Sequence, residues 1–211
     1  MRKLEHRVYT NYIDGYIYLK PDSVPVVRQR GAFPAYTNTQ VNAVFRGIDA
    51  TLMYQLTKAL TLTSKTSLLF AYDRTNHDYL IYISPNRTQS SLRYECPKWG
   101  KLSKLFVEMK GLYIAAQHRV PQVAQQRINE KIIFTGDFAP PPPGYFLLST
   151  DIGFSLQTSS HTKDTMSVIL SCTNINNVAY RDYLNRFRYF ADEMGRNFTL
   201  KVRIPFSNDK Q

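Results

Sequence analysis

An alternation of period two, repeated along the chain, constrains this sequence more than any other feature. Near the C-terminus, Phe198, Leu200, Val202, Ile204 and Phe206 fall on one side, and Asn197, Thr199, Lys201 and Arg203 on the other. That spacing is a strand with one oily and one wet face. The same pattern sets Met166, Val168, Leu170 and Cys172 against Ser167, Ser171 and Thr173, and Phe146, Leu148, Ile152, Phe154 and Leu156 against Ser149, Asp151, Ser155 and Gln157. Upstream it returns at Ile48 to Leu56, and at Leu62 to Tyr72 with Ser64 and Thr66 interrupting the oily side. It is briefer at Leu92 to Cys96 and at Leu105 to Tyr113, and less clean over residues 5–19. Eight strands are expected. A period of 3.6 occurs only around Tyr180 to Met194, where Leu184, Phe187 and Phe190 allow a short helical turn.

The spacers between strands alternate in length. Short ones fall at about residues 58–60, 97–102 and 158–164, and long ones at about 20–40, 74–88, 119–143 and 175–194. An up-and-down sheet with this alternation carries every long connection on one end, as outer-membrane barrels do with their periplasmic turns and extracellular loops. The expected fold is therefore all-β: an antiparallel transmembrane β-barrel segment with its oily face toward lipid and its wet face toward the interior. An unpaired amide in hydrocarbon costs several kcal/mol, so such a sheet must close or find further strands.

Composition limits the alternatives. The 43% hydrophobic content with 15 Tyr and 12 Phe supports a folded chain. No apolar run approaches the roughly 18 residues of a spanning helix. The N-terminus, Met1 to Arg7, carries charge with no apolar stretch behind it, so no signal peptide is expected here. The net charge of +11 invites a nucleic-acid reading, but no recognition motif accompanies it and nucleic acid is not expected as a partner. Cys96 and Cys172 match no zinc or redox spacing, and His6, His77, His118 and His161 form no metal-ligand pattern, so no metal or cofactor is expected. No catalytic motif is present, and the chain is not expected to be an enzyme. Trp99 beside a short turn fits an interfacial aromatic girdle. The four prolines Pro140 to Pro143 fit a stiff loop that stops strand extension.

Several segments carry a family resemblance. Residues 174–206, NINNVAYRDYLNRFRYFADEMGRNFTLKVRIPF, resemble the C-terminus of a TonB-dependent outer-membrane receptor: an Asn-rich stretch, a Tyr-Arg segment, then GRNF and a closing strand with a terminal aromatic. The hairpin start GIDATLMYQLT at residues 47–57 is similar to the family's strands, and GAFPAY at 31–36 and FAPPPPGY at 138–145 to its loops. The resemblance implies an outer-membrane location in a Gram-negative bacterium and TonB-dependent uptake of a scarce ligand, such as an iron complex (a siderophore) or haem. It also implies a last strand, with Phe198, Leu200, Val202, Ile204 and Phe206, read by the barrel-assembly machinery. Family barrels have about 22 strands around an N-terminal plug. Residues 1–206 are thus expected to be the C-terminal part of such a barrel, 207–211 a short polar tail, and the plug, through which TonB would act, to be missing.

Within that expectation Arg28, Arg30, His77, Arg127, Tyr180, Arg181 and Arg188 are the candidate ligand contacts, all on predicted extracellular loops. Cationic and phenolic groups suit an anionic iron chelate. The rival expectation is a self-contained eight-stranded structural or adhesive barrel, since eight is even and enough to close. A third, a β-sandwich binding protein, predicts a chain that stays in solution without detergent.

Overall fold

A computed structural model of the chain describes residues 2–22, 26–33, 35–100, 102–121, 124–128, 131–135, 140–157 and 165–204. Its strands are β1 (Arg2–Pro21), β2 (Val26–Arg28), β3 (Gly31–Phe33), β4 (Tyr36–Gln55), β5 (Leu60–Asp73), β6 (Asp78–Tyr79), β7 (Arg87–Trp99), β8 (Leu102–Ile114), β9 (Ala124–Ile128), β10 (Lys131–Thr135), β11 (Tyr145–Gln157), β12 (Thr165–Thr173) and β13 (Asn197–Arg203). Eight of them form one meander in the order β1-β4-β5-β7-β8-β11-β12-β13, with β6 added beside β5. The eight expected strands are present, and every neighbouring pair is antiparallel. Two small hairpins, β2–β3 and β9–β10, lie within the long connections. The expected helical turn is a 3-10 turn at Arg186–Tyr189. No helix among the described residues is long and apolar enough to cross a membrane.

Because the strands alternate in direction, the connections sort by length. Leu56 to Ala59, residues 100–101 and residues 158–164 join strands at one end. Residues 22–35, 74–86, 115–144 and 174–196 join them at the other. The sheet does not close: β1 and β13 each have a single neighbour in it.

The alternation survives in three dimensions. Register pairs Tyr94 with Val107, Val107 with Ile152, Ile152 with Leu170 and Leu170 with Leu200, a row of apolar side chains on one face. The interruptions at Ser64 and Thr66 are matched across the ladder. Ser64 Oγ lies 3.0 Å from Ser90 Oγ, and Thr66 Oγ1 lies 3.1 Å from Thr88 Oγ1. Each hydroxyl on the oily face therefore meets another, which limits its desolvation cost. The same serine and threonine explain why β7 gives so short a sequence signal, since its apolar side begins only at Leu92.

The unclean alternation of residues 5–19 also has a cause. Between Ile13 and Tyr16, β1 has one residue more than β4, a bulge in which Gly15 takes φ +73°. Below it the exposed apolar residues are Leu4, Val8 and Tyr12; above it the parity switches and Ile17 is exposed. The main apolar core lies near the long-connection end, where Val41, Ala43, Ala71, Leu80 and Ile83 are buried against Tyr16, Tyr18, Phe45 and Leu69. Burying a side chain such as Leu80 contributes about 1.5–3 kcal/mol. This corrects the expectation of a wholly wet interior. At that end the inward residues of β4 and β5 are apolar, because the second connection folds down onto them and removes them from water.

Candidate functional site

The fourth long connection, residues 174–196, is held by its asparagines. Asn174 and Asn177 adopt φ +50°, a left-handed geometry that asparagine tolerates better than most residues. The Asn174 amide donates to the carbonyl of Val178 (2.9 Å) and accepts from its N–H (2.9 Å). Asn176 accepts from Leu148 N–H at 3.1 Å and donates to Phe146 O at 2.8 Å, standing in for a backbone peptide and prolonging the β11 ladder. Asn177 accepts from Arg196 N–H at 3.0 Å, which ties the far end of the loop to its start.

From this anchor the loop reaches the start of β4 and the second and third long connections through arginine and tyrosine. The Arg186 guanidinium lies 4.9 Å from the Tyr36 ring centre and 5.5 Å from that of Tyr82. Tyr82 and Tyr189 share a 2.9 Å hydrogen bond between hydroxyls. Arg188, only 4% exposed, stacks on Tyr183 and Tyr189 and donates to Pro140 O at 3.2 Å. Cation–π contacts of this kind contribute about 0.5–2 kcal/mol, most when desolvated. Arg181 pairs with Asp192 at 2.6 Å and donates to the carbonyl of Arg188. Tyr180 packs against Tyr145 with the rings tilted by 37° and their centres 4.4 Å apart. Burial pushes the Tyr180 phenol up, with the nearby Glu193 and Asp182 carboxylates adding to it, so it remains a neutral donor at physiological pH.

Beneath the loop, the polar face of the sheet bounds a 530 Å³ cavity lined from β4, β5, β7, β8 and β11, which makes that face the concave one. Asp49, Lys65, Arg87 and Gln89 line it from the strands, and Asp182 enters from the loop, accepting from Tyr145 Oη at 2.9 Å. Toward the short-turn end a ladder of ion pairs crosses three strands. Arg93 lies 2.5 Å from Glu95 and 3.3 Å from Glu108, Glu108 lies 3.6 Å from Lys110, and Lys110 pairs with Asp151. Among the described residues, no group of three or more His, Cys, Asp or Glu side chains is placed to hold a metal ion.

The residues nominated from sequence separate into two sets. Tyr180, Arg181 and Arg188 come together in the packed fourth connection, where Arg188 faces its neighbours rather than solvent. Arg28 and Arg30 stand exposed on the β2–β3 hairpin, and His77 is exposed in the turn before β6 with φ +55°. None of these three side chains makes a hydrogen bond, ion pair or ring contact among the described residues. Arg127 belongs to β9, and its side chain is outside the described ones. Phe198, Leu200, Val202 and Ile204 are exposed on the apolar side of the last strand, while Phe206 lies outside the described residues. Sequence reasoning missed Tyr36, Tyr82, Tyr183 and Arg186, which meet only through contacts remote in sequence, and it missed the cavity residues Lys65, which read as an ordinary wet-face position, and Arg87, which fell in the long connection expected at about 74–88.

No family model matches the sequence, and no curated protein matches it. Among solved structures the chain is similar to one described as copper transporter OprC, with a TM-score of 0.70 and 16% identity. The match covers 97% of this chain and 29% of that one. At that identity the likeness is one of fold: the eight-stranded meander corresponds to part of a longer transporter chain.

Proposed function

We propose that the chain is a membrane-spanning part of an outer-membrane transport barrel of the TonB-dependent receptor type, which takes up a scarce ligand. The observation that carries this reading is the sheet itself. All four long connections lie on one end, an apolar face alternates with a charged one, and both sheet edges are open in a fold like less than a third of a longer transporter chain. In this reading the apolar face meets lipid, and Trp99 and Tyr94 near the short turns, with Tyr113 and Phe146 toward the long connections, stand at headgroup level. The last strand serves recognition by the barrel-assembly machinery. The exposed Arg28, Arg30 and His77 face incoming ligand, while Tyr180, Arg181 and Arg188 shape the loop that roofs the cavity. Iron chelates or haem remain the proposed ligands, on the family resemblance and the cationic loops.

The rival eight-stranded barrel requires β1 to pair with β13, and the two stay apart. Membranes of the source organism separated on a density gradient test the proposal. The chain should band with the outer membrane and change gel mobility on boiling. Recovery in the inner-membrane or aqueous fraction overturns it.

A further inference from the structure

Lys65 and Arg87 differ from the basic residues of the ion-pair ladder on the same concave face. Arg93 and Lys110 each meet carboxylates, but neither Lys65 nor Arg87 makes an ion pair or side-chain hydrogen bond among the described residues. They sit on adjoining strands, Lys65 in register with Gln89 and Arg87 with Ser67, so an amide and a hydroxyl lie between two unmatched cations. All four border the 530 Å³ cavity, a volume within the usual range of small-molecule sites. The carboxylate entering from above, Asp182, already accepts from Tyr145 Oη (2.9 Å) and Leu184 N–H (2.7 Å), which lessens its hold on a cation below. Asp49 lines the same cavity beside Ser67, diagonal to Lys65 and in register with Arg7 of β1, and makes no hydrogen bond or ion pair among the described residues. The cavity wall therefore offers two cationic donors and one acceptor on three neighbouring strands.

We infer that this cavity is a binding site for a small hydroxylated molecule carrying one oxyanion group, a carboxylate or a phosphate. The oxyanion takes charge-assisted hydrogen bonds from Lys65 and Arg87, and a ligand hydroxyl donates to Asp49. The site is made by the concave face and the loop above it and stands whether or not the chain spans a membrane.

Competitive acylation of lysines in isolated membranes, or in whichever cell fraction holds the chain, reads the site directly. Gluconate and glucose 6-phosphate are the anionic probes, glucose the neutral control, and Lys201, on the same face of the last strand, the internal reference. Either anion near tenfold excess over its dissociation constant should slow Lys65 labelling at least about threefold, leave Lys201 unchanged and lose the effect in Arg87→Gln. Protection by only one of the two identifies the oxyanion as carboxylate or phosphate. Equal labelling with and without both anions, equal protection by glucose, or protection that survives Arg87→Gln overturns the assignment. An unchanged Lys201 rate in Arg87→Gln verifies that the variant sheet is intact.

Discussion

Amide side chains and glycines set the local shape of the chain at several points. Asn174 is 3% exposed, satisfies both backbone groups of Val178 and donates weakly to Met194 O (3.4 Å). Asn174→Ala leaves these half-buried backbone groups unmatched, and we expect a loss of about 1–2 kcal/mol in the local stability of the loop, measured by hydrogen exchange across residues 174–196. Gly47 illustrates the same dependence on shape. The Tyr9 ring covers it where a Cβ would stand, and Phe106 covers Gly153 in the same way. Gly47→Val forces the Tyr9 ring aside and should cost about 1–3 kcal/mol as overpacking, read as a lower denaturant midpoint in detergent. The sequence showed a glycine at the start of an alternating strand and an Asn-rich stretch near the end. What those residues do lay beyond it, because each acts on a partner that only the register brings near.

At the scale of elements, the strands were legible and the loops were not. Period-two patterning is local, so β12 and β13 could be read from a few residues each. β7 was shortened in reading because Thr88 and Ser90 occupy its oily side, answered by Thr66 and Ser64 across the ladder. The long connections could be assigned a length and an end, yet not their convergence on Tyr82, Arg186 and Arg188, which depends on contacts between residues far apart in the chain, such as Tyr36 with Tyr82 and Tyr82 with Tyr189. Two outcomes belong here. If the apolar face meets lipid, Leu170→Arg should cost about 2–4 kcal/mol of folding free energy near mid-membrane, while Thr199→Arg on the opposite face should cost little; refolding titrations into lipid vesicles compare them. The raised Tyr180 phenol makes loop packing base-sensitive. Its contribution is intact below the unfolded tyrosine value of about 10 and is lost as pH rises through the higher folded value. Protease cleavage within residues 174–196 should therefore speed up above that pH, and Tyr180→Phe should blunt the change.

For the whole molecule, one sheet carries two chemistries. Its apolar side runs unbroken across five strands, while its concave side passes from an ion-pair ladder through a polar cavity to an apolar core under the loops. The first division was readable because it repeats every second residue. The second was not, since it arises where the connections fold back over the strand ends. The open edges of β1 and β13 would draw other strands to the molecule if it stood alone, which suits a part of a larger barrel. The most direct test of the account is alternation in the membrane. With Cys96 and Cys172 replaced by alanine, single cysteines at positions 168, 169, 170, 171, 199 and 200 are labelled in the outer-membrane fraction with one water-soluble and one lipid-phase thiol reagent. Lipid-phase labelling is expected at 168, 170 and 200 and aqueous labelling at 169, 171 and 199. Uniform aqueous labelling at all six positions would contradict it.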